Sequence, residues 1–177
     1  VIARSLRAHA GLVEQLSARE VHRQYLAVVA GTMVAGGTVD APIDRHPKDR
    51  VRMGVTKEGQ GRDAITHYRL REKFRNHTLV ECRLETGRTH QIRVHFAAAG
   101  HPLLVDPLYG KGEGFMLSSI KKKYNQNDDE RPVLGRLSLH AGALGFVHPF
   151  TGETVAFEAA LPKDMEATLR LFRKYDL

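Results

Sequence analysis

Residues 64 to 102 constrain the fold more than any other part of the sequence. Ala64 to Phe74 and Thr78 to Leu84 alternate in polarity, with Ile65, His67 and Arg69 opposing Thr66, Tyr68 and Leu70, and the polar step Arg75-Asn76-His77 between them. That pattern predicts a β-hairpin. Its second strand runs directly into Glu85-Thr86-Gly87-Arg88-Thr89-His90-Gln91-Ile92-Arg93-Val94-His95 and then Phe96-Ala97-Ala98-Ala99. Ile92, Phe96 and Ala99 recur at helical spacing, and Gly100 followed by Pro102 supplies a left-handed stop and a breaker. A polar cluster therefore sits at a strand-to-helix junction. Arg93 falls on the first turns of that helix, where a cation beside the positive end of the dipole is disfavoured by roughly 0.3–1 kcal/mol unless an anion is close. Its side chain requires a carboxylate or a phosphate.

Upstream, Ser5 is placed to cap a helix through about Arg19, since Leu6, Leu12, Val13 and Leu16 form one apolar stripe. Val21 to Ala30 alternates, becomes apolar on both faces toward its end, and predicts a strand inside the sheet. Gly31 and Gly36-Gly37 punctuate its exit; Thr38 to Ile43 reads as a short strand closed by Pro42, and Asp44 to Arg50 as a polar loop. Arg52 to Val55 forms another short strand. Downstream, Lys111 to Gly135 carries Lys121-Lys122-Lys123 and Asn127-Asp128-Asp129-Glu130 and reads as a flexible loop or lid. Leu137 to Val147 is a strand interrupted by Gly142 and Gly145, Thr151-Gly152 turns it, and Thr154 to Phe157 is its partner. Pro162-Lys163-Asp164 opens a last helix with Met165, Leu169 and Phe172 on one face. Many strands and few helices imply an α+β domain on a mixed, mostly antiparallel sheet, and 177 residues suit one such domain.

A net charge of +7, from 27 basic and 20 acidic side chains, favours an anionic partner, and no apolar run approaches membrane-spanning length. The single cysteine, Cys82, excludes an internal disulfide, fits a reducing compartment such as the cytoplasm, and lies in an alternating run where a packed thiol is expected. His90, His95 and His101 lack the H-E-x-x-H pattern and a cysteine pair, so no metal site is expected of them.

The run G-R-T-H-Q-I-R-V-H, followed by G-H-P-L-L-V-D-P-L-Y-G, resembles the RNA pseudouridine synthases of the RluA type. A-G-G-T-V-D-A-P-I-D-R-H-P at Ala35 to Pro47 and T-H-Y-R at Thr66 to Arg69 are most similar to members that act on large-subunit ribosomal RNA, and the likeness runs through most of the chain. The family's nucleophile is an aspartate in an H-R-L-D-x-x-T-S-G-L segment, and the 177 residues contain no such segment. The chain resembles the C-terminal part of one catalytic domain, with no separate N-terminal RNA-binding domain, and is expected to be inactive alone. The resemblance implies no cofactor. It makes Arg93 the cation that pairs with the nucleophile, Tyr25 the residue that lies over the target base and assists removal of its C5 proton, and Leu139 the apolar wall opposite. Read alone, Tyr25 and Leu139 would pass for core. With the nucleophile outside the sequence, Arg93 is expected to stand open or to hold a solvent anion.

Arg88, His90 and Gln91 are expected to meet phosphate or to hold the loop; Arg45, His46, Lys111 and Lys121 to Lys123 are candidates for neutralising an RNA backbone, with a solvated surface role equally open. Asp106 reads as a structural turn carboxylate, and Val105 takes a place often held by glycine in the family. The alternative function is an RNA-binding module without catalysis; a histidine-based metal hydrolase is a third and weaker one.

Overall fold

The computed structural model describes residues 1–121, 124 and 130–177. The hairpin forms as β5 (Ile65–Lys73) and β6 (His77–Leu84), with a bulge at Leu70/Glu72. On the far side of β6 lies β1 (His22–Ala30), then β7 (Leu139–Val147) and β8 (Thr154–Glu158), while β2 (Gly37–Asp40) adds to β5. The sheet order is β2-β5-β6-β1-β7-β8, and every strand pairing among the described residues is antiparallel. With α1 (Leu6–Ser17), α2 (Gln91–Ala98) and α3 (Lys163–Tyr175), this is an α+β fold on an antiparallel sheet.

Two of the helices share one face. From Val21, just before β1, and along the strand, the side chains of Val21, Arg23, Tyr25, Ala27 and Val29 point to the same side. Leu12 of α1 packs with Val21 and Phe146 at one end, and Ile92 and Phe96 of α2 pack with Ala27 and Val29 at the other. Arg23 and Tyr25 lie between them. On the opposite face, Val28 and Leu79 meet Met165, Leu169 and Phe172 of α3. The last helix is stapled by Asp176, which is buried and accepts hydrogen bonds from the Asn76 backbone (3.2 Å), the Asn76 amide (2.6 Å) and His77 (2.8 Å) at the β5–β6 turn.

The local signals fix most element ends. Ser5 caps α1 through a 3.2 Å bond from the Ala8 N–H, and Gly100 ends α2 at a φ of +82°. The strand expected over Thr38 to Ile43 is instead broken at Ala41-Pro42: proline has no N–H for the ladder, so Ile43 begins β3 (Ile43–Arg45), which pairs with β4 (Met53–Val55) in a separate two-stranded arm. Arg45 therefore stands on a strand, not in a loop. The lid reading of Lys111 to Gly135 is corrected at both ends. Phe115 and Leu134 are buried, exchange backbone hydrogen bonds, and join the core around Phe172. Lys122, Lys123 and residues 125–129 lie outside the described residues.

Candidate active site

Arg93, on the first turn of α2, has a carboxylate partner within the chain. Its Nε and Nη2 donate to Asp106 Oδ2 and Oδ1 at 2.8 and 2.7 Å, and the two side chains are 12% and 0% exposed. The expectation that Arg93 stands open or holds a solvent anion is therefore corrected, because the turn after α2 brings Asp106 back to the start of that helix. Asp106 is also the turn carboxylate expected, since its Oδ1 accepts the N–H groups of Leu108 (2.9 Å) and Tyr109 (3.1 Å). Burial acts to raise the Asp106 pKa, but the guanidinium and these two N–H groups hold it below the ordinary carboxylate value. The residue before it, Val105, has φ +57°, which explains why glycine suits that place. Arg93 Nη1 makes no hydrogen bond within the described residues.

Tyr109 is held between two guanidiniums, Arg93 at 4.9 Å and Arg52 at 5.3 Å from its ring centre. Its hydroxyl accepts from the Met53 N–H (2.8 Å) and meets His90 Nδ1 (3.0 Å), joining α2 to the β3–β4 arm. Burial and the nearby Arg93 charge lower the His90 pKa, so the ring is neutral near pH 7. His90, with a φ of +56°, is committed to this joint. The expectation that Gln91 meets RNA is corrected in favour of loop-holding. Its amide is buried, donates to the Ile65 carbonyl (2.9 Å) and Thr66 Oγ1 (3.0 Å), and accepts from Thr86 Oγ1 (2.8 Å) and the Arg88 N–H (2.9 Å). That fills an amide's bonding capacity inside the protein.

Tyr25 floors an apolar cleft of about 240 Å³ between α1 and β7, with Leu12, Leu16, Ala141 and Leu144 in its walls. Leu139 sits diagonally across from it: Tyr25 opposes Ala141 and Ala27 opposes Leu139. Both pack on the cluster that contains Ile92, the neighbour of Arg93. A bulge opposite Gln24 and Tyr25 leaves Gly142 of β7 unpaired and re-aims β7 at this point, while β1 keeps an unbroken register with β6. Arg93 itself does not line the cleft.

Two polar clefts continue from the apolar one. Arg23 and Leu16 belong to it and to the next, which also contains Thr86, Gly87 and Arg88. Gly87 and Arg88 in turn border a third, of about 420 Å³, where Arg88 is joined by Arg45, Arg50 and Arg62. Arg45 and Arg88 are thus brought together as RNA-contact candidates, whereas Lys111 is exposed beside a separate cleft with Asn76 and His77. His46 receives the Lys48 N–H at 3.3 Å and does not line the arginine cleft. Sequence reasoning passed over Arg23, Arg50, Arg62 and Tyr109. The dense arginines of Arg45 to Arg62 were a signal for two of them; Arg23 and Tyr109 gain meaning only from what folds against them. Among the described residues no group of three or more His, Cys, Asp or Glu could hold a metal ion, and no helix is long and apolar enough to cross a membrane.

An antiparallel sheet carrying a tyrosine-floored cleft beside arginine-lined ones, with the G-R-T-H-Q-I-R turn at its rim, defines a class. The chain belongs to the RNA pseudouridylate synthase family, whose sequence profile matches residues 1–98. It is 52% identical over 177 residues to the ribosomal large subunit pseudouridine synthase D of Xanthomonas campestris and 44% identical over 179 residues to the protein of that name in Escherichia coli K12. Each match covers 98% of this chain and 51% of the relative, so the chain spans about half the length of these curated relatives. Human RNA pseudouridylate synthase domain containing 1 is 24% identical, superposes with a TM-score of 0.68 over 90% of this chain and 62% of its own, and supports the fold.

Proposed function

We propose that these residues form part of the catalytic domain of an enzyme that isomerises uridine to pseudouridine in structured RNA, with large-subunit ribosomal RNA as the substrate. The observation that carries the proposal is the apolar cleft between α1 and β7, floored by Tyr25, with Leu139 diagonal to Tyr25 on β7 and Arg23 leading on to the arginine-lined clefts. The names of the relatives support the choice of RNA.

The reaction breaks the glycosidic bond, turns the freed base and rejoins it through C5, so it needs no redox or group carrier. It needs a nucleotide taken out of its stack, a carboxylate nucleophile and a base for the C5 proton. The apolar cleft suits an extruded base: the Tyr25 ring stacks beneath it and the phenol takes the C5 proton, while Leu139 limits the space opposite. The nucleophile comes from an H-R-L-D segment outside these 177 residues. Arg93, fixed from one edge by Asp106, offers its Nη1 toward that carboxylate and favours its ionised form.

The test is tritium release from RNA labelled at uridine C5. The 177-residue chain is expected to release none, and the chain extended with an H-R-L-D segment to release one tritium per uridine converted. Release by the 177 residues alone would show that the nucleophile has been misassigned. A second reading, an RNA-binding module without catalysis, is favoured by the arginine cleft alone; it predicts salt-sensitive RNA binding and no release from the extended chain.

A further inference from the structure

We infer that Arg23 seats a phosphate of the bound RNA strand, fixing the backbone beside the base held over Tyr25; this rests on the RNA reading above. Arg23 precedes Tyr25 by two residues on β1, so the two side chains leave the same face about 7 Å apart. It lines both the apolar cleft and the polar one that holds Arg88. A base over Tyr25 would therefore have its own backbone at Arg23, with the strand running on past Arg88.

The guanidinium is positioned but not neutralised. Its Nη2 donates to the Glu85 carbonyl at 3.3 Å, and Nε is buried without a partner among the described residues. The neighbouring carboxylate is already engaged, since Glu85 binds Arg19 at 3.1 Å and His67 on its other oxygen. No carboxylate lies within 4.0 Å of Arg23 among the described residues, whereas Arg19, Arg69, Arg93, Arg136 and Arg173 all have one. A half-buried guanidinium held by a carbonyl, beside a cleft, keeps its charge for an incoming anion. Gly87 provides the room: a Cβ there would overlap Arg23 Nη1. The glycine of G-R-T-H lets the guanidinium pack directly against the backbone. A phosphodiester fits this seat because two planar N–H donors match two of its oxygens.

Binding of a single-stranded, uridine-containing RNA to the 177-residue chain across a salt series tests the seat. Arg23→Gln is expected to weaken binding about tenfold at low salt and to reduce the slope of log K against log salt by about 0.7, with the melting temperature unchanged. Gly87→Ala should weaken binding by displacing the guanidinium, and the double variant should bind no worse than Arg23→Gln, because both changes remove one seat. If Arg23→Gln does not fold, Arg23→Lys replaces it; the retained charge should preserve the slope while the lost fork weakens binding. Unchanged affinity in the variant used, or additive losses in the double variant, would overturn the seat while leaving the RNA reading in place. Wild-type chain with no salt-dependent RNA binding would overturn both.

Discussion

Arg93 and Asp106 hold each other through two short hydrogen bonds in a site nearly closed to solvent. Removing one partner of such a pair leaves the other charge buried and costs about 3–5 kcal/mol. Arg93→Ala is therefore expected to lower the melting temperature by roughly 6–20 °C. A shift below about 2 °C, on the same scale, would show the pair to be unimportant for stability. An activity loss in that variant would report unfolding as well as chemistry, so Tyr25→Phe is the cleaner probe of mechanism. Cys82 makes a second prediction. Burial, with the Glu81 charge adding to it, pushes its thiol up to about 12, so iodoacetamide at pH 8 should leave the native protein unmodified and alkylate it once denatured. Rapid native alkylation would contradict the packing around β6. The packed thiol was legible from its alternating run. The Arg93–Asp106 pair was not: each residue's local role could be read, but their meeting depends on the turn at positive φ that returns the chain to α2.

Helix α2 concentrates the pH dependence. Burial lowers the pKa of His95, whose ring bonds Thr66 and the Ala41 carbonyl, and burial with the Arg93 charge lowers that of His90. Each binds a proton less readily folded than unfolded. Their contribution is therefore full above the unfolded value of about 6.5 and declines as pH falls through that region toward the folded values. Asp106, held below its unfolded value of about 3.9, adds stability that is lost at still lower pH. A melting temperature steady from about pH 8 to 7 and falling below about 6.5 is expected; one that rises toward pH 5 would contradict the buried, neutral histidines. The close of α3 depends on Asp176, and Asp176→Ala should cost about 1.5–3 kcal/mol, measured by urea denaturation. No loss would show that the α3 terminus is not held there. Elements with a local cause were legible: Ser5, Gly100 and the alternating hairpin gave their own positions. Pro42 signalled an end but not that a second arm begins beyond it. The core roles of Phe115 and Leu134 were hidden because a charged stretch with scattered apolar residues does not show which of them are buried until they meet Phe172 of α3.

For the molecule as a whole, one face of the sheet carries the apolar cleft and its arginine approaches, while α3 seals the opposite face at the other end of the strands. The fold class was legible because pattern and glycine placement agree along the chain. The motif residues Tyr25, Leu139 and Arg93 could be nominated as site candidates from the sequence, but the shape of the cleft could not, since the packing of α1 against β7 that forms it is not written in either segment alone. The most direct measurement is single-turnover tritium release by the chain extended with its H-R-L-D segment, comparing wild type with Tyr25→Phe at saturating enzyme. The account predicts a fall of about a hundredfold or more, as for loss of a proton-transfer group, with RNA affinity nearly kept. Full-speed release from Tyr25→Phe would contradict it.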